Sequence, residues 1–160
     1  MNKRWIVLIL LGAIGFLLFY RKDVSEFGVT MVEKIIGLFD DLYKKWGDIR
    51  GIPWQLIKAV ALTESNENPN AIGDNGNSFG MMQIQHWHYE AYGMTKEDMF
   101  DPNLNVQVGS GFLAEMVQKY GMEGGVQAYN LGETKFRRGV TSPDYLAKVM
   151  GQYNGLIAVA

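Results

Sequence analysis

The chain has 160 residues, a formal net charge of −2 and no cysteine. This length suits one modest domain, and a hydrophobic content of 48% is enough for a packed core, which must hold the fold without disulfides. Residues 1–22 hold four of the 15 basic residues and none of the 17 acidic ones, which leaves residues 23–160 with a net charge of −6. A segment this acidic is a poor ligand for phosphate backbones, so we exclude nucleic acid as a partner.

The first predicted element is an apolar segment from Trp5 to Tyr20, which carries no charge and has basic residues on both sides. A membrane-spanning helix needs about 20 apolar residues and a secretory signal about 7–15, so this segment falls between the two. Because apolar residues continue past the small residues Ala13 and Gly15, we interpret residues 1–22 as one uncleaved transmembrane anchor. A removed signal peptide is the alternative, and the flanking basic residues leave the orientation open.

Residues 23–45 are predicted to form a linker and an amphipathic helix, because apolar side chains recur on one helical face from about 30 to 46. The glycines between 47 and 51 are predicted to end this helix. Pro53 is a favourable first residue for the next helix, over about 53–65. The broad apolar face of that second helix predicts a central helix with others packed around it.

The stretch 66–79 is rich in Asn, Gly and acidic residues, which predicts a loop or a short hairpin. Three further helical segments are bounded by glycines, at about 83–93, 103–120 and 125–130. Ser142 and Pro143 are predicted to cap and begin the last helix. The predicted fold class is therefore mainly α with a small hairpin region, in a domain over 46–160.

Glu64 lies where the apolar second helix meets the polar loop. Apolar neighbours remove water from a carboxyl group, disfavour its charged form and raise its pKa. A carboxyl that keeps its proton near neutral pH can act as a general acid. Taken alone, Glu64 is better explained as a solvated glutamate at a helix end, since most acidic side chains lie at the surface.

Three motifs follow one another along the chain: Glu64-Ser65 with Asn68-Pro69-Asn70-Ala71, then Gly80-Met81-Met82-Gln83-Ile84, then Ala128-Tyr129-Asn130-Leu131-Gly132. With Asn105 and Gly109 in the middle helix, and Tyr145 and Val149 in the last, they resemble the lysozyme-like catalytic domain of lytic transglycosylases, which cut the glycan strands of peptidoglycan. The resemblance covers about 46–153. It implies an α+β lysozyme-like fold that is mainly helical, with no metal and no cofactor.

The resemblance implies that Glu64 donates a proton to the glycosidic oxygen between N-acetylmuramic acid and N-acetylglucosamine. The same carboxylate then removes a proton from the muramoyl C6 hydroxyl, which attacks the anomeric carbon and forms a 1,6-anhydro end. One protein carboxylate suffices, unlike the pair that ordinary glycosidases use. The resemblance also implies substrate-binding side chains, namely Ser65, Met82, Gln83, Tyr129, Asn130 and Tyr145. Among these, Met82 is expected to line the sugar groove, and Ser65 either helps to hold substrate or bonds the backbone at the helix end.

Asp74 marks a departure from the family pattern, since many members carry a serine about ten residues after the glutamate. A second acid facing Glu64 suits a water-activating base, as in inverting hydrolysis, and this favours a hydrolase similar to goose-type lysozymes. A turn over Gly73-Asp74-Asn75 explains the same residue without chemistry. A glycan-binding or structural protein that retained the fold but lost turnover is a third hypothesis.

The aromatic and histidine residues of the segment 86–89 are further candidates. His86 and His88 are two positions apart and point away from each other on a helix, which argues against a metal site. Trp87 or Tyr89 suits stacking on a sugar ring, with core packing as the alternative.

The expected partners are peptidoglycan strands and, through the anchor, a membrane. A domain this small fits either a bacterial secretion machine that needs a local gap in the wall, or a bacteriophage virion. The expected location is a membrane, with the catalytic domain facing the cell wall.

Overall fold

The computed structural model describes residues 37–159. From Phe39 onward these residues form one compact unit of helices beside a small sheet. The predicted anchor at 1–22 and most of the predicted linker lie outside the described residues. Within 37–159, no helix is both long enough and apolar enough to cross a membrane.

The described chain contains six α-helices, α1 to α6, which span Asp40–Arg50, Trp54–Ser65, His86–Glu90, Pro102–Leu131, Glu133–Arg137 and Pro143–Ala158. Three two-residue strands, β1 to β3, span Ile72–Gly73, Ser78–Phe79 and Ile84–Gln85. The strands pair antiparallel in the order β1-β2-β3, with Phe79 opposite both Ile72 and Ile84. The predicted fold class, mainly α with a small hairpin region, is confirmed for these residues.

Helix α1 ends later than the sequence predicts, because it runs through Gly47 to Arg50. Gly51 is the residue that ends it, in the left-handed conformation at φ +68°, and its N–H donates to the Gly47 carbonyl at 2.8 Å. Gly47 has a different use: a Cβ there would lie 3.0 Å from the Trp54 Cβ. Gly47 therefore lets α1 approach the start of α2 closely.

Helix α2 is central, as its sequence predicts. Every residue from Leu56 to Ala61 is buried, and the helix packs against α1 and α6. Its surroundings include large side chains with almost no exposed surface, among them Tyr43, Met81, Met82, Leu113 and Val126. Because α2 is enclosed on most sides, its C-terminal end is held firmly, and that end carries Glu64.

Two further predictions, both about helix starts, differ from the structure. The segment predicted as a helix over 83–93 contributes β3 before α3 begins at His86, since the sheet takes Ile84 and Gln85. The predicted break near Gly121 is present, because that residue leaves helical geometry, at φ +72° and ψ 175°, and divides α4 into two helical segments across a kink. The Ser142 side chain does not cap α6. The Ser142 N–H instead donates to Gln127 Oε1 at 3.0 Å, which joins the start of α6 to α4.

Candidate active site

A cleft of about 620 Å³ opens at the C-terminal end of α2. The sheet with its adjoining loops, α3, α4 and α5 supply its other residues. Its lining includes five residues that the sequence analysis selected, namely Glu64, Asp74, Gln83, Tyr129 and Asn130. These residues come from positions up to 66 apart in the chain, and the fold brings them to one cleft.

Glu64 is the carboxyl group at the inner end of this cleft. The Tyr145 hydroxyl of α6 donates to Glu64 Oε1 at 2.6 Å. Burial raises the pKa of Glu64 from 4.5 to about 7; the Tyr145 hydrogen bond lowers it and the charge of Asp74 raises it. Near neutral pH this carboxyl group therefore exists in both its protonated and its ionised form, as a group that gives and then takes a proton requires.

The Gln83 side chain packs against Gly73 of β1 and is hydrogen-bonded to the backbone. It has a positive φ of 50°, and its Nε2 donates to the Gly80 carbonyl at 2.9 Å. A Cβ on Gly73 would lie only 2.1 Å from Gln83 Oε1, so this glutamine position needs glycine at 73. The side chain is thus held in place before any ligand arrives.

Asn105 of α4 holds the loop that precedes Gln83. Its fully buried amide donates to the carbonyls of Phe79 and Met99, each at 2.9 Å, and its Oδ1 accepts the Met82 N–H at 2.8 Å. A Cβ on Gly80 would lie 2.3 Å from Asn105 Nδ2, so glycine is required there. A satisfied buried amide of this kind fixes one loop conformation.

Met82 lies in this loop and Tyr129 lies in α4, and each differs from expectation in what its side chain contacts. Met82 is fully buried and its sulfur packs against Gly109, so its side chain does not line the groove. The Tyr129 hydroxyl donates to the Met82 carbonyl at 2.8 Å. Burial, followed by the charge of Glu64, raises the pKa of Tyr129, so the phenol stays protonated.

Ser65 directs its hydroxyl into the protein. Its Oγ donates to the Met81 carbonyl at 2.8 Å and accepts the Asn68 N–H at 3.0 Å. The segments that contain Met81 and Asn68 are therefore both hydrogen-bonded to the end of α2, immediately beside Glu64. Of the two readings of Ser65 from sequence, the geometry matches bonding to the backbone.

Asp74 lines the cleft from the turn between β1 and β2, in the left-handed conformation at φ +48°. Its Oδ2 accepts from Ser78 Oγ at 2.7 Å and from Gln85 Nε2 at 2.9 Å. The turn that the sequence predicts is present, and the carboxylate is both a turn residue and a part of the cleft.

Sequence reasoning did not select several cleft residues, namely Ser78, Gln85, Phe112 and Lys135, and it named Trp87 and His88 only as further candidates. Of the two aromatic candidates in α3, Tyr89 is buried and packs against Phe79 with ring centroids 6.4 Å apart. Trp87 is 55% exposed and lines the cleft. The sequence could have predicted that the two rings differ in exposure, because residues two positions apart lie on different sides of a short helix.

A mainly helical domain with a small antiparallel sheet, beside a cleft that holds a half-buried glutamate, is the lysozyme-like arrangement that the resemblance implied. The family model described as the transglycosylase SLT domain matches residues 41–149, and the chain belongs to that family. It is a lytic transglycosylase catalytic domain, and therefore an enzyme.

Curated relatives extend this result. The chain is 33% identical over 110 residues to the invasion protein IagB of Salmonella typhi, which covers 64% of this chain and 68% of IagB. It is 34% identical over 98 residues to membrane-bound lytic murein transglycosylase F of Desulfosudis oleivorans, covering 61% of this chain and 21% of that protein. It is also 31% identical over 102 residues to peptidoglycan transglycosylase gp16 of Escherichia phage T7, covering 59% of this chain and 8% of gp16.

Solved structures share the fold. The 70 kDa soluble lytic transglycosylase of Escherichia coli superposes with a TM-score of 0.56 at 24% identity, over 71% of this chain and 19% of that one. An inactive glutamate-to-glutamine mutant of the Pseudomonas aeruginosa lytic transglycosylase Slt superposes with a TM-score of 0.58 at 16% identity, over 74% of this chain and 22% of that one. The chain thus corresponds to about one fifth of each of these larger enzymes.

Proposed function

We propose that this domain cleaves the β-1,4 bond between N-acetylmuramic acid and N-acetylglucosamine in peptidoglycan and leaves a 1,6-anhydromuramoyl end, with Glu64 as acid and then base. The observation that carries the proposal is Glu64 itself, a half-buried carboxyl group in the cleft with a pKa of about 7. Family membership supports the type of bond that is cleaved, and the relatives named as murein and peptidoglycan transglycosylases support peptidoglycan as the polymer.

The reaction balances with one carboxyl group. Protonated Glu64 donates its proton to the glycosidic oxygen as the bond from the anomeric carbon to that oxygen breaks. The C6 hydroxyl oxygen of the same muramoyl ring then forms a bond to the anomeric carbon. Ionised Glu64 accepts the hydroxyl proton, so the enzyme ends protonated and no water is consumed.

The neighbouring residues would assist by position. Tyr145 holds one carboxyl oxygen of Glu64, which leaves the other to face the sugar. Gln83 and Asn130 line the cleft with amide groups that can bind the sugar's hydroxyl and N-acetyl groups. Tyr129 closes the cleft near Glu64, and Ser65 secures the end of α2.

A second candidate, hydrolysis with Asp74 as the base for an attacking water, is favoured by one observation. Asp74 lines the same cleft as Glu64, and its charge raises the pKa of Glu64. Its Oδ2 is occupied by Ser78 and Gln85, which favours a role in shaping the cleft instead.

Mass spectrometry of purified peptidoglycan after digestion separates these candidates. With the full chain we expect anhydromuramoyl ends, and a 10²- to 10⁴-fold loss of rate with Glu64→Gln, the usual contribution of general acid–base catalysis. Glu67→Gln, the same change three residues away, is the control and should retain its rate within a few fold. Asp74→Asn should still form anhydro ends.

Other products would decide against the proposal. Reducing ends that carry oxygen from labelled water, lost in Asp74→Asn, would establish the hydrolase. The absence of any product from the wild type, with glycan binding intact, would establish a catalytically silent glycan-binding protein.

The setting is part of the same proposal. We propose an anchor at 1–22, a linker and helix over 23–45 and the catalytic domain over 46–160, facing the cell wall. The relatives include an invasion protein of Salmonella and a phage T7 peptidoglycan transglycosylase, which support a bacterial secretion machine and a virion as the two candidate assemblies.

A further inference from the structure

The segment 134–138, here called the basic segment, carries three cations within four residues, namely Lys135, Arg137 and Arg138. It overlaps α5, which spans Glu133–Arg137. All three side chains are exposed, and within residues 37–159 none of them forms an ion pair. The basic segment is therefore a charged surface whose counterion does not come from the described chain.

The contacts between α5 and α4 do not explain these cations. The Phe136 ring packs edge-on against Tyr120, with ring centroids 5.0 Å apart. Glu133 accepts a hydrogen bond from the Tyr120 hydroxyl at 2.8 Å and forms an ion pair with Lys119 at 3.2 Å. These two hydrogen bonds are the main cause of the lowered pKa of Glu133, and the charge of Arg137 contributes least. Phe136 and Glu133 thus attach α5 to α4, while the cations of the basic segment remain in solvent.

The basic segment borders two depressions of the surface. Lys135 lines the cleft that holds Glu64, and among the described residues of that lining it is the one lysine or arginine. Thr134, Arg137 and Arg138 line a second depression of about 280 Å³. Because these lining residues come from five consecutive positions, the second depression adjoins the cleft. A substituent on a ligand in the cleft can therefore reach the second depression.

The charges favour an anionic substituent. The three cations repel one another, and a bound anion offsets that repulsion. Sugar rings of a glycan strand are themselves uncharged, whereas the peptide stem that a muramoyl residue carries ends in carboxylates. Guanidinium groups bind carboxylates through two parallel hydrogen bonds, and a lysine adds a point charge. The basic segment therefore matches the peptide part of peptidoglycan better than its sugar part.

We propose that Lys135, Arg137 and Arg138 form a binding site for the carboxylates of the peptide stem on a muramoyl residue held in the cleft. The inference rests on the proposed function for the identity of the polymer, and it names the part of that polymer that the chain recognises by charge. Because the stem is covalently linked to a sugar that the cleft binds, each ion pair forms at a high effective concentration. The site predicts a preference for glycans with stems, and this preference should decrease as salt is added.

Calorimetric titration of the full-length Glu64→Gln protein with two probes tests the site. The probes are a tetrasaccharide of alternating N-acetylglucosamine and N-acetylmuramic acid with its peptide stems, and the same tetrasaccharide after an amidase has removed the stems. We expect the probe with stems to bind about tenfold more tightly, the combined effect of three exposed ion pairs. Lys135→Gln, Arg137→Gln and Arg138→Gln should each weaken its binding about two- to fivefold, and the two arginine changes should leave the stem-free probe unaffected. Lys148→Gln is the matched control, since it removes the same charge from an exposed position of α6 that lines neither depression.

Further probes separate charge from other contacts. Amidation of the stem carboxyl groups should reduce binding to the level of the stem-free probe, and undiminished binding would overturn the site because the contact would not be ionic. Inorganic phosphate and acetate should compete with the stems to similar extents at equal ionic strength. Displacement by phosphate at a much lower concentration than acetate would identify a phosphate polymer as the ligand and overturn the assignment to the stem.

The outcomes distinguish this inference from the proposed function. Equal affinity for the two tetrasaccharides, or an equal loss of affinity in Lys148→Gln and the arginine variants, overturns the site even if the wild type cleaves peptidoglycan. A preference for stems that depends on Arg137 and Arg138, in a protein whose wild type cleaves nothing, supports the site and removes the catalytic proposal.

Discussion

Glu64 and Glu67 stand three residues apart at the C-terminal end of α2, yet their environments differ. Glu64 faces the cleft and accepts a hydrogen bond from Tyr145; in the described chain it forms no ion pair. Burial raises the pKa of Glu67 as well, but the charge of Lys58 and the Tyr43 phenol lower it again. Lys58, only 4% exposed, is ion-paired with Asp40 of α1.

The backbone explains how two neighbouring acids reach opposite sides. Residues three apart on a helix share a face. Asn66 and Glu67, however, have left-handed φ values of 55° and 59°, which turn the chain away after Ser65. Such conformations cost about 1–3 kcal/mol each and persist where the surroundings hold them. The C-terminal end of α2 thus supplies two acids. Glu64 lies in the cleft without an ion pair and is here called the uncompensated acid. Glu67 lies at the interface with α1, where Lys58 offsets its charge, and is here called the compensated acid.

The largest effect should come from breaking the compensated side. Lys58→Met removes a buried cation and leaves Asp40 and Glu67 as half-buried carboxylates without it, and we expect a loss of about 3–5 kcal/mol in the free energy of unfolding, measured by urea denaturation at pH 7. Lys44→Met is the matched control. Its partner Asp41 is fully exposed at 3.5 Å, so that change should cost less than about 1 kcal/mol. Equal losses in the two variants would remove the contrast between the acids.

The uncompensated side should respond in the opposite direction. A carboxyl whose pKa rises from 4.5 to about 7 on folding binds a proton more tightly in the native state, so the wild type loses stability as pH rises through this window. Glu64→Gln removes that loss. We expect it to be more stable than the wild type by about 3 kcal/mol at pH 8 and equal to it at pH 4.

Urea denaturation at pH 4, 6 and 8 measures this difference. Glu67→Gln is the control, and its gain at pH 8 should be smaller because Lys58 already offsets the charge of Glu67. A Glu64→Gln protein that is no more stable than the wild type at pH 8 would show that Glu64 is solvated.

A smaller effect is expected at Tyr145. Its hydrogen bond favours ionised Glu64, so Tyr145→Phe should raise the pKa of Glu64 and move the alkaline limb of the pH–rate profile to higher pH. Loss of a positioned hydrogen bond to a charged group should also lower the maximal rate about three- to tenfold. Tyr153→Phe, on the same helix, should leave the profile in place. A shift toward lower pH in Tyr145→Phe would contradict the assignment.

The sequence predicted those features that local chemistry determines. The apolar residues of α2 predicted that this helix is central, and the Asn- and Gly-rich stretch predicted the hairpin. Glu64 was predicted as a site residue because it lies where the two segments meet. The contact from Tyr145 to Glu64 spans 81 residues, and no local pattern reports it. The resemblance to a family named Tyr145, but the geometry was needed to show which atom it holds.

Other features escaped prediction for physical reasons. Left-handed conformations at Asn66 and Glu67 are rare for residues other than glycine, so the turning of Glu67 toward Lys58 could not be anticipated. Gly124 is helical although the sequence places it between two helical segments, since tertiary packing there overrides the low helix propensity of glycine. Trp87 and Tyr89 have similar propensities, and only the position of the sheet decides which of the two is buried.

The central claim is that Glu64 keeps its proton near neutral pH, and its titration tests this most directly. Carbon-13 NMR of glutamate carboxyl groups in the full chain, with the Glu64 signal assigned by its absence from Glu64→Gln, gives the pKa without reference to activity. We predict a midpoint at about 7, well separated from the exposed glutamates. A midpoint near 4.5, the ordinary value for glutamate, would contradict the account.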